Sequence, residues 1–379
     1  MRIAILHGNN DAYGASRVLI QEISCLLSLG HTVAVIVPNG GPLAEDLAQS
    51  GLSATVIVDP GLSVLRLSKI SDLLHPIRLR PEITHADVVV LWTLALAAYI
   101  PLLRLKRKSF YLSVHELLPS RLGNLLVRVL LAPGRFPICA CSEATAAWLE
   151  QNGVARTRLT VTSPVFDPVT LVRAPTLHDP FTLAVVGRVN GRRGHLEVAQ
   201  ALQSLWPAVS PDPPTTGSSW RLLLFGAPFS GQESALDAVL HLIEGDPRIE
   251  YRGEAKSLES IASQIDAVAC FPSMPESFGL VPVEAWRAGV RAAGFADGGP
   301  GEVLPIVGGI GVARTGAPLA DISSALLTLE RSVRARKALP EPSTVNPLFT
   351  KERRLISLTQ VLNQAVARPA RRTVRKRSS

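Results

Sequence analysis

The chain has 379 residues, 47% of them apolar, which is too much for one ordinary core, comfortable for two, and incompatible with a disordered protein. Its net charge of +8 is uneven: residues 1–166 hold 15 Lys/Arg against 11 Asp/Glu, residues 167–367 hold 18 against 20, and the last six cations fall between Arg368 and Arg377. A basic first half suits an anionic membrane surface or an anionic acceptor, and the lack of any recognition module beneath the charge argues against nucleic acid.

The first segment, Met1 to Leu6, reads as a buried strand; it lacks the long apolar region and cleavage site of a signal peptide. Further strands are expected at Thr32–Val37, Ala54–Val58, Val88–Trp92, Phe110–Val114 and Ile138–Cys141, and helices at Ala15–Leu29, Leu43–Gln49, Leu122–Leu131 and Glu143–Gln151. The apolar run Val88–Leu103 is shorter than the ~20 residues that span a bilayer and is divided by Pro101, so it reads as a strand followed by a helix. Strands that are apolar throughout point to a parallel sheet covered on both faces. Within the helix Leu122–Leu131, the side chains Leu122, Leu125, Leu126, Val129 and Leu130 can share one face, with Arg121, Arg128 and Arg135 spaced by seven. Such a stripe is either buried core or a membrane-docking face.

Periodicity stops at Ser163–Pro180, which contains Pro164, Pro168, Pro175 and Pro180, and residues 164–180 read as a linker after a first domain of residues 1–163. A second series of strands is expected at Leu183–Val186, Leu222–Phe225, Ile249–Tyr251, Ala267–Phe271, Arg291–Phe295 and Ile310–Ala313, within a second domain of residues 181–348. Trp206–Ser219 is Pro/Thr/Ser-rich and reads as an exposed loop; a closing helix spans residues 349–366, and residues 367–379 form a basic, disordered tail. The fold class is therefore α/β, with two doubly wound parallel-sheet domains. The four cysteines, Cys25, Cys139, Cys141 and Cys270, read as small buried side chains in a reducing compartment.

Four segments at expected strand ends carry chemistry. Gly187-Arg188-Val189-Asn190-Gly191-Arg192-Arg193-Gly194 joins a strand to a helix; glycine lets amides approach an anion, and Arg188 and Arg193 can clamp a diphosphate. Taken alone, this loop reads equally well as a basic surface turn. Pro275-Glu276-Ser277-Phe278-Gly279-Leu280 leads into a helix carrying Glu284, and the amides near Phe278, Gly279 and Leu280 would face a ligand. These two glutamates can also be read as a glycosidase acid/base pair, although such an enzyme has no need of the arginine loop. Gly14 lies in the turn that opens the first helix, and His115 ends the strand Phe110–Val114. Ser142-Glu143 fits an ordinary helix N-cap, and Gly298–Glu302 reads as a glycine loop that orients Glu284, closes over a bound ligand, or simply turns. No Asp-x-Asp motif or His/Asp cluster marks a metal site.

The order strand, acidic glycine-containing loop, helix, short strand, Gly-Gly loop over Asp266–Glu302 resembles the donor-binding segment of the retaining family 4 glycosyltransferases. That resemblance implies two facing Rossmann-like domains, the GT-B architecture. It implies a retaining hexosyltransferase that moves a sugar from a nucleotide-diphosphate sugar to a hydroxyl acceptor, glycan or lipid-linked, in cell-surface polysaccharide or glycolipid assembly. No cofactor is implied beyond the nucleotide-sugar co-substrate, and no metal. The location implied is cytoplasmic, either free or peripheral at the inner face of the membrane. By the same resemblance, Arg188 and Arg193 would stabilise the leaving group and Glu276 and His115 would hold the sugar. Glu284 would hold the ribose, and Gly14, Gly187, Phe278, Gly279 and Leu280 would line the donor. Arg193 replaces the family's usual Lys, and Val290-Arg291-Ala292-Ala293 replaces its usual Pro and β-branched run. A nucleotide-sugar epimerase of the same architecture and a non-catalytic sugar-nucleotide-binding protein are the alternative readings.

Overall fold

The computed structural model describes residues 1–11, 14–65, 77, 79–170, 177–205, 219–228 and 231–367. The expected basic tail beyond Ala367 and all of the Pro/Thr/Ser-rich loop except Ser219 lie outside them, as do residues 171–176 of the expected linker. The chain forms two compact units: residues 1–141, 146–165 and those from Lys351 onward make the first, and residues 142–145 and 166–350 the second.

The first unit is built on seven strands: β1 (Arg2–His7), β2 (Thr32–Val37), β3 (Thr55–Val58), β4 (Val88–Trp92), β5 (Phe110–Val114), β6 (Ile138–Ala140) and β7 (Leu159–Val161). All pair in parallel, in the order β3-β2-β1-β4-β5-β6-β7. Every residue of β4 and β5 is buried, as continuously apolar strands covered on both faces require, whereas no residue of the edge strand β3 is buried. The strand β7 has no counterpart in the sequence reading, because Leu-Thr-Val is too short and polar to register as an apolar run.

The second unit repeats the plan with β8 (Phe181–Val186), β9 (Trp220–Phe225), β10 (Ile249–Gly253), β11 (Ala267–Cys270), β12 (Arg291–Phe295) and β13 (Ile310–Val312). Their order is β10-β9-β8-β11-β12-β13, again all parallel. In both sheets the strand order reverses once, between β1 and β4 and between β8 and β11. Beyond the carboxyl ends of those strands is where open α/β sheets bind ligands.

Two local features depart from the sequence expectation or answer it. Gly298–Glu302 is not a loop: Gly298–Ile306 is a helix, with Asp297 in the extended N-cap conformation. Its glycines serve close packing, since a Cβ at Gly299 would lie 2.3 Å from the Cα of Phe278. The unusual Val290-Arg291-Ala292-Ala293 forms a regular strand because the Arg291 guanidinium is buried and donates to the carbonyls of Gly308, Lys337 and Ala338.

The helix Lys351–Val366 belongs to the first unit, and Arg354 fixes it there. Arg354 is fully buried; its Nε and Nη2 donate to Glu22 Oε2 at 3.0 and 2.6 Å, and its Nη1 to the Ser163 carbonyl at 2.8 Å. The Tyr111 hydroxyl donates to the other Glu22 oxygen at 2.8 Å. A buried charge pair is tolerable only when its donors and acceptors are matched in this way. Cys25, Cys139 and Cys141 are buried, and Cys270 is half-buried.

Candidate active site

In the second unit the chain leaves β8 through Gly187, makes the arginine turn, and enters the helix His195–Leu205. Asn190 Oδ1 accepts the Arg192 amide at 3.1 Å, and the Arg192 carbonyl accepts the Ser273 amide at 3.0 Å, tying this turn to the one that follows β11. Gly194 makes that approach possible. It has φ +87°, and a Cβ there would lie 2.4 Å from the Phe271 carbonyl oxygen. The side chain of Arg193 therefore stands at the carboxyl end of β11, where its Nη1 forms an ion pair with Glu276 Oε1.

Arg193 is about half exposed, whereas Glu276 is mostly covered. Burial, and then the charge of Arg188, lower the Arg193 pKa. The charge of Arg188 is thus near enough to act on Arg193, which itself pairs with the Glu276 carboxylate. Like charges held near one another in this way favour a bound anion.

The backbone of Glu276 is held as well, its carbonyl accepting the Gly299 amide at 2.8 Å. Phe278 is buried, edge-on to Phe349 with ring centroids 6.0 Å apart. Gly279 is the N-cap of the helix Leu280–Arg287, whose first amides have no partner within the helix. Glu284 lies on that helix, half-buried and close to the end of β11: after burial, its charge is the next cause that pushes the Cys270 thiol up to about 12.

Arg314 was not singled out by sequence. Its Nε meets Asp297 Oδ2 at 2.9 Å, its Nη2 donates to the Pro272 carbonyl at 3.0 Å, and its guanidinium lies 3.8 Å above the Phe295 ring. It braces the segment that carries Glu276. A lone arginine after a short strand gives no sequence signal of this role.

The first unit gathers polar groups at the ends of β1, β4 and β5. Gly14 is the first residue of the helix Gly14–Ser28. Ser16 Oγ donates to Asp11 Oδ1 at 2.8 Å and lies 2.9 Å from His7 Nε2. His115 lies with its Nε2 2.9 Å from Ser113 Oγ and its ring 4.2 Å from that of Trp92. Burial first, then the charges of Arg354 and His7, push the His115 pKa down to about 3, so the imidazole is neutral at working pH. Burial likewise lowers His7 to about 4.

Glu116 behaves oppositely. Burial raises it to about 7, although its Oε2 accepts the amides of Leu94 at 3.2 Å and His115 at 3.1 Å. The residue before Leu94, Thr93, has φ +92°, a strained conformation for a β-branched side chain. The sequence alone gives no role to Glu116, His7 or Thr93.

Of the residues singled out by sequence, His115 and Gly14 thus lie in the first unit. Gly187, Arg188, Arg193, Glu276, Phe278, Gly279, Leu280 and Glu284 lie in the second. Among the described residues, no group of three His, Cys, Asp or Glu side chains is placed to hold a metal ion.

No curated protein matches the chain significantly in sequence. Solved structures do match it in fold. Anabaena Alr3699/HepE, in complex with UDP and glucose, superposes with TM-score 0.72 at 18% identity, over 96% of this chain and 99% of its own. A glycosyltransferase from Rickettsia africae gives 0.70 at 16% identity, over 97% and 99%. Sucrose-phosphate synthase from Thermosynechococcus elongatus gives 0.69 at 16%, over 96% and 98%. These likenesses identify the fold as GT-B. In sequence, residues 12–169 match the model of Glycosyltransferase Family 4, and residues 142–292 match that of the Family 4 Glycosyltransferases in conflict systems. The second match includes the arginine turn and the Glu276–Glu284 segment, and the two together make residues 12–292 of this chain similar to glycosyltransferase family 4.

Proposed function

We propose that the chain transfers a hexosyl group, with retention of configuration, from a nucleotide-diphosphate sugar to a hydroxyl of a glycan or lipid-linked acceptor. The process served is cell-surface polysaccharide or glycolipid assembly, and the location cytoplasmic, peripheral at the inner face of the membrane. The observation that carries this reading is the ion pair of Arg193 with Glu276 at the carboxyl ends of β8 and β11, within reach of the Arg188 charge. The Anabaena protein in complex with UDP-glucose makes a UDP-hexose the first donor to try.

In this reading the bond between the sugar C1 and the β-phosphate oxygen breaks, and its electron pair goes to the phosphate. Arg188 and Arg193 stabilise the charge that develops there. The acceptor oxygen attacks from the face the phosphate leaves, and its proton passes to the departing phosphate. No nucleophile of the chain is consumed. Glu276 and the neutral His115 hydrogen-bond hydroxyls of the sugar, and Glu284 those of the ribose. The amides at Phe278, Gly279 and Leu280 cover the donor, and Gly187 and Gly14 let backbone approach it. Because the arginines and the helix N-terminus supply the positive charge, turnover is expected to persist in EDTA.

The deciding experiment follows nucleoside-diphosphate release over a panel of nucleotide sugars with and without an alcohol acceptor, and reads the anomeric coupling of the product by NMR. Acceptor-dependent release with the donor's own anomeric configuration supports the proposal. An inverted product removes retention. An isomerised donor in the absence of acceptor favours the epimerase, and a rise in melting temperature without any turnover favours a sugar-nucleotide-binding protein.

A further inference from the structure

The helix Gly298–Ile306 starts without the bond that usually starts a helix. Asp297 stands at its N-cap in the extended conformation, yet its side chain caps nothing. A capping aspartate accepts the amide two or three residues further on. Residue 300 is proline, which has no N–H, so that bond has to come from Gly299. The Gly299 amide is already engaged, donating to the Glu276 carbonyl at 2.8 Å. Asp297 Oδ1 is buried with no hydrogen-bond partner among the described residues. A cap left unmade and a buried acceptor left unmet both cost stability.

The other carboxylate oxygen is held. Asp297 Oδ2 pairs with Arg314 Nε at 2.9 Å, and the same guanidinium donates to the carbonyls of Pro272 and Ser273 at 3.0 and 3.4 Å. Ser273 in turn donates its amide to the Arg192 carbonyl. The Phe295 ring, 3.8 Å from the guanidinium, attracts its charge and limits where it can go. Arg314 thus links the turns that follow β8, β11 and β12, all within the second unit.

We propose that Arg314 is a positioning residue for Glu276, and that it acts by holding Asp297 away from the Gly299 amide. This rests on the role given above to Glu276 at the donor sugar. Two acceptors, the Asp297 carboxylate and the Glu276 carbonyl, compete for one amide, and a charged acceptor is the stronger. The guanidinium decides that competition in favour of Glu276. Without it the carboxylate caps its own helix, the Glu276 carbonyl loses its donor, and the side chain that meets the sugar shifts. A displacement of about 1 Å at a group that orients substrate can cost about a hundred-fold in rate. Arg314 therefore bears on the reaction without touching the donor.

The test compares Arg314→Met, Asp297→Ala and the double variant in steady-state kinetics, with the donor that the unaltered chain uses. Methionine keeps an apolar contact with Phe295 and removes the charge; if that variant does not fold, Arg314→Gln takes its place with the same expectations. Arg314→Met should lower kcat by about ten- to a hundred-fold, with a smaller change in donor KM. Asp297→Ala leaves no carboxylate to compete, so it should cost less, and adding it to Arg314→Met should restore kcat by about five-fold or more. A role in bracing alone predicts the opposite, a double variant as slow as Arg314→Met or slower. That result, or an Arg314→Met chain with the kcat of the unaltered protein, overturns the proposal. A crystal structure of Arg314→Met gives a reading that needs no turnover: the Gly299 amide should have moved to Asp297, and an amide still on Glu276 overturns the proposal as well. If the unaltered chain turns over no donor, it is the transferase reading that fails, and the structure alone decides whether Arg314 controls this amide.

Discussion

Arg193 pairs with a carboxylate and stands within reach of a second guanidinium's charge, and the two act on it in opposite senses. Glu276 holds its position, while Arg188 and burial make its charge costly. A diphosphate would relieve the repulsion between the arginines, and a leaving diphosphate would relieve more of it, because negative charge grows as the sugar departs. That difference is what accelerates a reaction rather than merely binding a substrate. Arg193→Ala should therefore lower kcat by an amount equivalent to about 2–4 kcal/mol, with a smaller loss in donor affinity. Steady-state kinetics with the preferred donor checks this; turnover equal to the unaltered protein would remove Arg193 from the leaving-group role. Glu116 allows a test that needs no substrate. Its carboxyl is neutral in the folded chain up to about pH 7 but ionises near 4.5 when unfolded, so the fold loses stability as pH rises through that window. Glu116→Gln cannot ionise, and its melting temperature relative to the unaltered protein should rise between pH 5 and pH 8. A constant difference across that range would show that Glu116 is not held neutral. His115 and His7 act in the reverse sense. With pKa values near 3 and 4, they cost the fold stability as pH falls below about 6.5. Since a Gln at 116 leaves both unchanged, the comparison isolates the carboxyl.

At the scale of elements, the parallel strands were the most legible part of the chain. Val88–Trp92, Phe110–Val114 and Arg291–Phe295 are strands over the residues expected, since a strand buried on both faces must be apolar at consecutive positions. What escaped notice had other causes of order. The strand β7 is three residues long and is defined by its pairing with β6. The helix Gly298–Ile306 looked like a turn because its glycines are there to let it approach Phe278, and a sequence does not distinguish a glycine needed for space from one needed for a positive φ. The site was legible as motifs at strand ends and illegible as contacts. The pairing of Arg193 with Glu276 depends on β8 and β11 being neighbours, which only the order of the sheet decides. The bracing by Arg314 and the neutrality of Glu116 arise from surroundings drawn from several segments, so neither leaves a local trace. The helix Arg121–Leu131 shows the same limit: its periodicity marks apolar positions but does not say which side the sheet covers.

At the scale of the molecule, the first unit is assembled from both ends of the described chain. Glu22 and Arg354 are 332 residues apart and bond within a fully buried network that includes Tyr111 and the Ser163 carbonyl. Removing one member of such a pair strands the other charge in the interior, so Arg354→Met should destabilise the first unit by about 3–5 kcal/mol. The double variant Glu22→Gln, Arg354→Met should recover much of that loss, because both charges are then gone. Urea unfolding followed by hydrogen exchange of peptides from β4 and β5 would show it; a single variant as stable as the unaltered chain would mean that the pair holds nothing in place. The same connection sets a timetable for synthesis. A ribosome adding roughly 5–20 residues each second needs on the order of 15–70 s to go from Glu22 to Arg354. All of residues 166–350 are made in that interval, so the second sheet has its whole sequence before the first has its last helix. During that wait the pocket around Glu22 stands without its counter-charge, and the nascent first unit must remain open or be sheltered until its final helix emerges.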